Sequence, residues 1–138
     1  MGQKREGELR SKLGDRMRKH PVVGGWEIIR HEDVRTVGVP DMSLTGSGRT
    51  TWWEFKHASP GLRPGEVGSA QHLRMMRLEA LGFARYVIWA EVGGGEHTLI
   101  VRPRFLHEFF LKAEVTMAGY DHKGAIEYMQ RANERRTA

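Results

Sequence analysis

The sequence predicts one α/β domain, a mixed central β-sheet flanked by helices, with further helices at its C-terminal end. Three observations carry this. The chain has 138 residues, 39% apolar and 28% charged, enough for one modest core and little for a second. Segments with helical spacing of apolar residues alternate with short strand-like runs, and no internal repeat interrupts them. The run from Ala84 to Ala90 is almost wholly apolar, the pattern of a strand covered on both faces.

Taken in order, residues 4–19 read as a first helix, with Leu9, Leu13 and Met17 spaced by four along one stripe. Gly14 weakens it, and His20-Pro21 with Gly24-Gly25 ends it. Trp26–Arg30 reads as a strand. Val37–Leu44 and Thr50–Lys56 read as two more, joined through the glycine-rich Thr45–Arg49 as a hairpin. Residues 57–68 carry two prolines and three glycines and read as a loop. Ser69 caps a helix to Leu81, whose Leu73, Met76, Ala80 and Leu81 share one face, with Gly82 just past its end. After Ala84–Ala90, Gly93–Gly95 turns the chain into a strand at His97–Val101. Pro103 opens a helix with Phe105, Leu106, Phe109 and Phe110 on its apolar face, and a last helix covers about 122–134 before a basic tail at Arg135 and Arg136. The expected order is α-β-β-β-α-β-β-α-α, with a core over about 5–102 and a helical extension over about 103–138.

Composition excludes several classes of function. With no cysteine, disulfide scaffolds, thiolate zinc sites and cysteine nucleophiles are out. Seven histidines (His20, His31, His57, His72, His97, His107 and His122) form no His-x3-His or His-Glu-x2-His pair, which argues against zinc chemistry. The glycine clusters do not lead from a strand into a Gly-Lys-Ser/Thr helix start, so they read as turns rather than phosphate loops. No apolar run reaches the length of a membrane span, and the N-terminal residues lack a signal peptide's apolar core; the expected setting is the cytoplasm, with no membrane partner. Lys and Arg number 22 against 17 Asp and Glu, a net charge of +5, which favours a polyanionic partner. Arginine supplies most of that excess, and its planar fork suits phosphate better than a lysine does.

The informative stretch is Gly38-Val39-Pro40-Asp41 followed by Trp52-Trp53-Glu54-Phe55-Lys56. If the hairpin turns near Ser47, paired residue numbers sum to about 94 or 95, so Asp41 faces Trp53 or Glu54. Glu54 and Lys56, two apart, share a strand face. Two carboxylates about 5 Å apart at an effective dielectric near 20 repel by roughly 3 kcal/mol. A divalent cation between them reverses the sign, and hard oxygen ligands suit magnesium, or manganese as its substitute. Glu-x-Lys alone arises by chance in about every second chain of this composition. With Pro-Asp 10 to 30 residues upstream, the expectation falls to roughly one chain in a hundred.

Gly-Val-Pro-Asp, a short hairpin and Glu-Phe-Lys closely resemble the PD-(D/E)XK nuclease superfamily. Gln71, at the start of the following helix, and Gly82-Phe83-Ala84, at its end, look most like the VRR-NUC branch and phage junction-resolving endonucleases. The resemblance covers about residues 8–90. It implies a restriction-endonuclease-like core and Mg2+-dependent hydrolysis of DNA phosphodiester bonds, in a protein of bacterial or phage origin. Asp41, Glu54 and the Phe55 carbonyl become metal ligands and Lys56 the catalytic lysine. A further glutamate on the first helix is best matched by Glu8, with Glu6 as fallback, and Gln71 is a contact near the site. Arg30, Arg35, Arg49, His57 and Arg63 are the expected DNA contacts. One active site per chain implies a homodimer for cutting two strands. Branched DNA is the expected substrate; a sequence-specific or flap-type nuclease, or a DNA-binding module that does not cleave, are the alternatives.

Overall fold

The computed structural model describes residues 2–31, 38–58 and 68–135. The expected strand start at Val37, most of the Pro/Gly-rich loop, and Arg35, Arg63 and Arg136 lie outside them. A six-stranded sheet runs in the order β1 (Glu27–Arg30), β2 (Met42–Gly46), β3 (Arg49–Ala58), β4 (Ala84–Val92), β5 (Gly95–Val101) and β6 (Val115–Ala118). All neighbours are antiparallel except β3 and β4, which are parallel. That pairing needs a crossover, supplied by α2 (Ser69–Leu81). The sheet is therefore the mixed one expected, with helices flanking it.

Alternation along the strands sorts side chains between two faces. Under α1 (Gly2–Lys19) and α4 (His122–Glu134), Leu9, Leu13, Met17, Leu44, Trp53, Phe55, Val87 and Trp89 form the larger cluster with Ala125, Ile126 and Met129. On the other face Tyr86, Ile88, Leu99 and Val101 pack with Met75, Leu106 and Phe109. β4 is buried from Ala84 to Ala90, as its unbroken apolar run requires. Between β2 and β3, Ser47 and Gly48 both have positive φ (58° and 78°), the two-residue type I′ turn whose twist suits a hairpin. Gly46, just before it, leaves room for the Trp26 ring, which any Cβ there would strike.

Three expectations are corrected. On α2 the stripe of Leu73, Met76, Ala80 and Leu81 faces out, with Leu73 and Leu81 at 69% and 75% exposure. The packed face holds Met75 and Leu78 together with His72 and Glu79, whose polar groups are bonded to Tyr86 and to Arg85 and Arg102. Apolar spacing alone misplaces a helix whose buried face is partly polar but satisfied. The segment after Pro103 is a 3-10 stretch (Pro103–Glu108) and a single α turn, α3 (Phe109–Lys112). Its buried residues, Pro103, Leu106 and Phe109, recur every third position, the period of that tighter helix. Finally, the region beyond 103 is not purely helical. It adds edge strand β6, too short to show a pattern of its own, and α4 packs into the main core. Asp121 caps α4 by accepting the Gly124 N–H at 2.8 Å. No helix among the described residues is long and apolar enough to cross a membrane.

Candidate active site

The hairpin pairs Met42 with Trp53 and Gly46 with Arg49, so paired numbers sum to 95 and one further step sets Asp41 beside Glu54. The two residues clasp each other through backbone donors. The Asp41 N–H donates to Glu54 Oε1 at 2.9 Å, and the Phe55 N–H donates to Asp41 Oδ2 at 3.0 Å. The Asp41 carbonyl in turn accepts the His31 N–H at 2.8 Å. Upstream, Gly38 has φ +89° and lies against the Ala70 carbonyl of α2, where a side chain would be both strained and crowded. That close approach leads the Pro40-Asp41 segment past the first turn of α2.

Glu54 is only 1% exposed, and its carboxyl is pushed up to about 9. Burial is the main cause and the Asp41 carboxylate the second; Lys56 and the Asp41 N–H oppose them without prevailing. Lys56 Nζ stands 4.0 Å from Glu54 Oε2. Tyr86, paired in register with Glu54 on β4, has its phenol pushed up by burial and by that carboxyl. The site thus lacks positive charge in its buried half.

A divalent cation fits that deficit. Asp41 and Glu54 offer hard oxygens, and a cation would offset both the burial and the Asp41 charge that push Glu54 up. Among the described residues no group of three or more His, Cys, Asp or Glu gathers to hold a metal. Two carboxylates are a ligand set from which a largely hydrated magnesium ion could be held, with water and a substrate phosphate completing its shell.

Glu8 does not join the cluster. It is half exposed and pairs with Arg5 at 3.6 Å. Glu6 does not touch those carboxylates either, but it stands on the strand side of α1: its Oε1 accepts the His57 N–H at 3.1 Å and its Oε2 lies 3.8 Å from Arg10. The reason is helical phase, since Glu6 stands seven and eleven residues before Leu13 and Met17, on their side of α1, whereas Glu8 is rotated away. That spacing was the signal available in the sequence. Arg10 of α1 approaches Asp41 Oδ1 to 3.6 Å.

The remaining positions divide. Gln71 sits half-buried in the first turn of α2 and, among the described residues, makes no hydrogen bond to Asp41, Glu54 or Lys56; its neighbour His72 bonds the Tyr86 hydroxyl at 3.1 Å. Arg30 ends β1 opposite Met42 and, with Arg10 and Asp41, lines a narrow cleft under α1. His57 points to the opposite sheet face, where its Nε2 meets the Tyr120 hydroxyl at 3.2 Å. Arg49 is spent on structure: it donates to the Ala132 and Arg135 carbonyls at the end of α4 and lies over the Phe83 ring. Five residues from Glu54, it stands about 17 Å along the strand and ties the hairpin to the last helix. No protein-family model matches the chain, and a search of curated proteins gives no match.

Proposed function

We propose that this protein is a Mg2+-dependent endonuclease of the PD-(D/E)XK type, hydrolysing DNA phosphodiester bonds in the cytoplasm of a bacterial cell or phage host. The observation that carries the reading is Glu54, a carboxylate 1% exposed and raised to about 9, clasped to Asp41 and within reach of Lys56. A buried acid under that strain is a poor structural element and a good cation ligand. Bound by Asp41 and Glu54, magnesium (or manganese) supplies polarisation of the scissile phosphate and a more acidic water.

The chain's own groups do the rest. Asp41 and Glu54 are held by backbone N–H donors, so their oxygens keep one geometry without reorganisation. Lys56, about a quarter exposed, carries its ammonium at the mouth of the site, where it orients the attacking water or steadies charge on the phosphate. Glu6 holds the peptide just after Lys56 and so aims that strand end. The preference for branched DNA and a homodimeric state rest on the resemblance to junction-resolving enzymes and on one site per chain.

One gel tests this. A linear duplex, a flap, a splayed arm and a four-way junction are each incubated with magnesium or with EDTA. Cleavage in magnesium alone, fastest on the branched substrates, is the expected result. No cleavage of any substrate in magnesium or manganese refutes the nuclease; equal rates on all four refute the structure preference alone.

A further inference from the structure

Arg10 stands in an odd place for a protein that binds a dication. Its guanidinium is 3.6 Å from Asp41 Oδ1 and 3.8 Å from Glu6 Oε2, beside one of the two carboxylates that would hold the metal. A fixed positive charge at that range opposes an incoming cation. Neither contact is short enough to be a hydrogen bond, and the side chain keeps 28% exposure. The arginine is therefore lightly held and open to solvent. Its planar fork matches a phosphodiester better than two single oxygens at a distance.

We propose that Arg10 is a placeholder cation. It partly neutralises Asp41 in the free protein and moves to a DNA phosphate when substrate arrives, so that DNA binding and cation loading favour each other. The inference rests on the nuclease reading and deepens it, adding Arg10 to the site as a phosphate contact. Lys56 does not share this role, because it sits on the strand beside the more deeply buried Glu54. Coupling of this kind is reciprocal: whatever factor DNA gives to cation affinity, the cation gives to DNA affinity. An enzyme so built stays unloaded until a phosphate backbone is in place.

The test is calorimetric titration with Ca2+, chosen to hold DNA without cutting it, on the whole chain with and without a four-way junction oligonucleotide. Wild type should bind Ca2+ at least about tenfold more tightly with DNA present. Arg10→Gln should bind Ca2+ alone about tenfold more tightly than wild type, and DNA should then improve it by less than about threefold. Arg10→Lys keeps the charge but not the fork, so it should bind Ca2+ alone like wild type and gain less from DNA. In the unaltered protein, the Arg10 Nε–H resonance should shift on adding DNA before any metal, which needs no variant to fold. Unchanged or weaker Ca2+ binding by Arg10→Gln, or an unmoved resonance, overturns the placeholder role while leaving the nuclease reading standing. Failure of wild type to bind either Ca2+ or DNA overturns the nuclease reading itself.

Discussion

Glu54 and Glu114 are both carboxylates drawn toward the body of one sheet, and their surroundings move them in opposite directions. Burial raises both. At Glu114 the Tyr128 hydroxyl, donating at 2.6 Å, and Arg85, donating at 2.8 Å, more than offset it and the group is pulled below its ordinary value. Arg85 is itself 6% exposed, lies 4.0 Å over the Phe83 ring, donates to the Ala84 carbonyl and stands 3.8 Å from Glu79, which also binds Arg102. Every charge in that network has a partner, and the network ties α2, β4, α4 and the segment before β6 into one body. At Glu54 the Asp41 carboxylate adds to the cost of burial, and the Asp41 N–H at 2.9 Å with one lysine at 4.0 Å does not balance them. A sheet that satisfies the solvent-edged Glu114 so fully leaves the buried Glu54 short of positive charge. The difference separates a cluster that holds the fold from one whose charge deficit the proposed cation would fill.

The sharpest way to break the contrast is Asp41→Asn. Cleavage should be abolished, while folding stability stays unchanged or rises, because a repulsion is removed. The thermal shift that magnesium gives the wild type should shrink in the variant; equal shifts in the two proteins would take Asp41 out of the metal site. Lys56→Ala should lower turnover by about 10²–10⁴ with little change in DNA affinity. Tenfold weaker binding with unaltered turnover of bound DNA would make Lys56 a phosphate clamp instead.

On the other side of the comparison, Arg85→Met should cost about 1.5–3 kcal/mol of stability in urea unfolding, since it takes the buried guanidinium away while Arg102 still holds Glu79 and Tyr128 still holds Glu114. A loss under about 1 kcal/mol would mean that the network is no tighter than a surface pair. The smallest effect is in pH, with opposite signs at the two sites. Glu54, raised from 4.5 to about 9, lends metal-free stability that is full below about pH 4.5 and fades as pH climbs toward 9. Glu114, lowered, lends stability that is present above that range and fades as acid brings pH down through its folded value. Melting temperatures of Glu54→Gln against wild type, without metal, should therefore diverge as pH rises from 5 to 9, the variant being the more stable at the alkaline end. Magnesium should flatten the wild-type slope. Parallel curves would show that Glu54 ionises as freely in the fold as out of it.

Much of the site was legible because its spacing is local. Asp41 and Glu54 are joined by one short hairpin, and the Thr45–Arg49 turn chemistry fixes the register to a single pairing. Lys56 follows from strand alternation. On the first helix Glu8 borders the Leu9/Leu13 stripe, but the phase of Glu6 with Leu13 and Met17 is what carries a carboxylate to the end of β3. Arg10 and Arg49 were not legible, because nothing in their own neighbourhoods says which arginine meets a carboxylate and which caps a helix 83 residues later.

By itself the sequence determined the mixed α/β layout, the buried β4 and the opposition of Asp41 to Glu54, all consequences of periodicity and turn geometry acting over a few residues. The tertiary structure alone decided which face of α2 is covered, how the chain beyond Pro103 closes the sheet with β6, and which charges surround Glu54 and Glu114. Those depend on surfaces brought together from distant parts of the chain. The Glu54 shift is such a property: its residue type and strand position are written locally, but burial under packed helices sets its free energy.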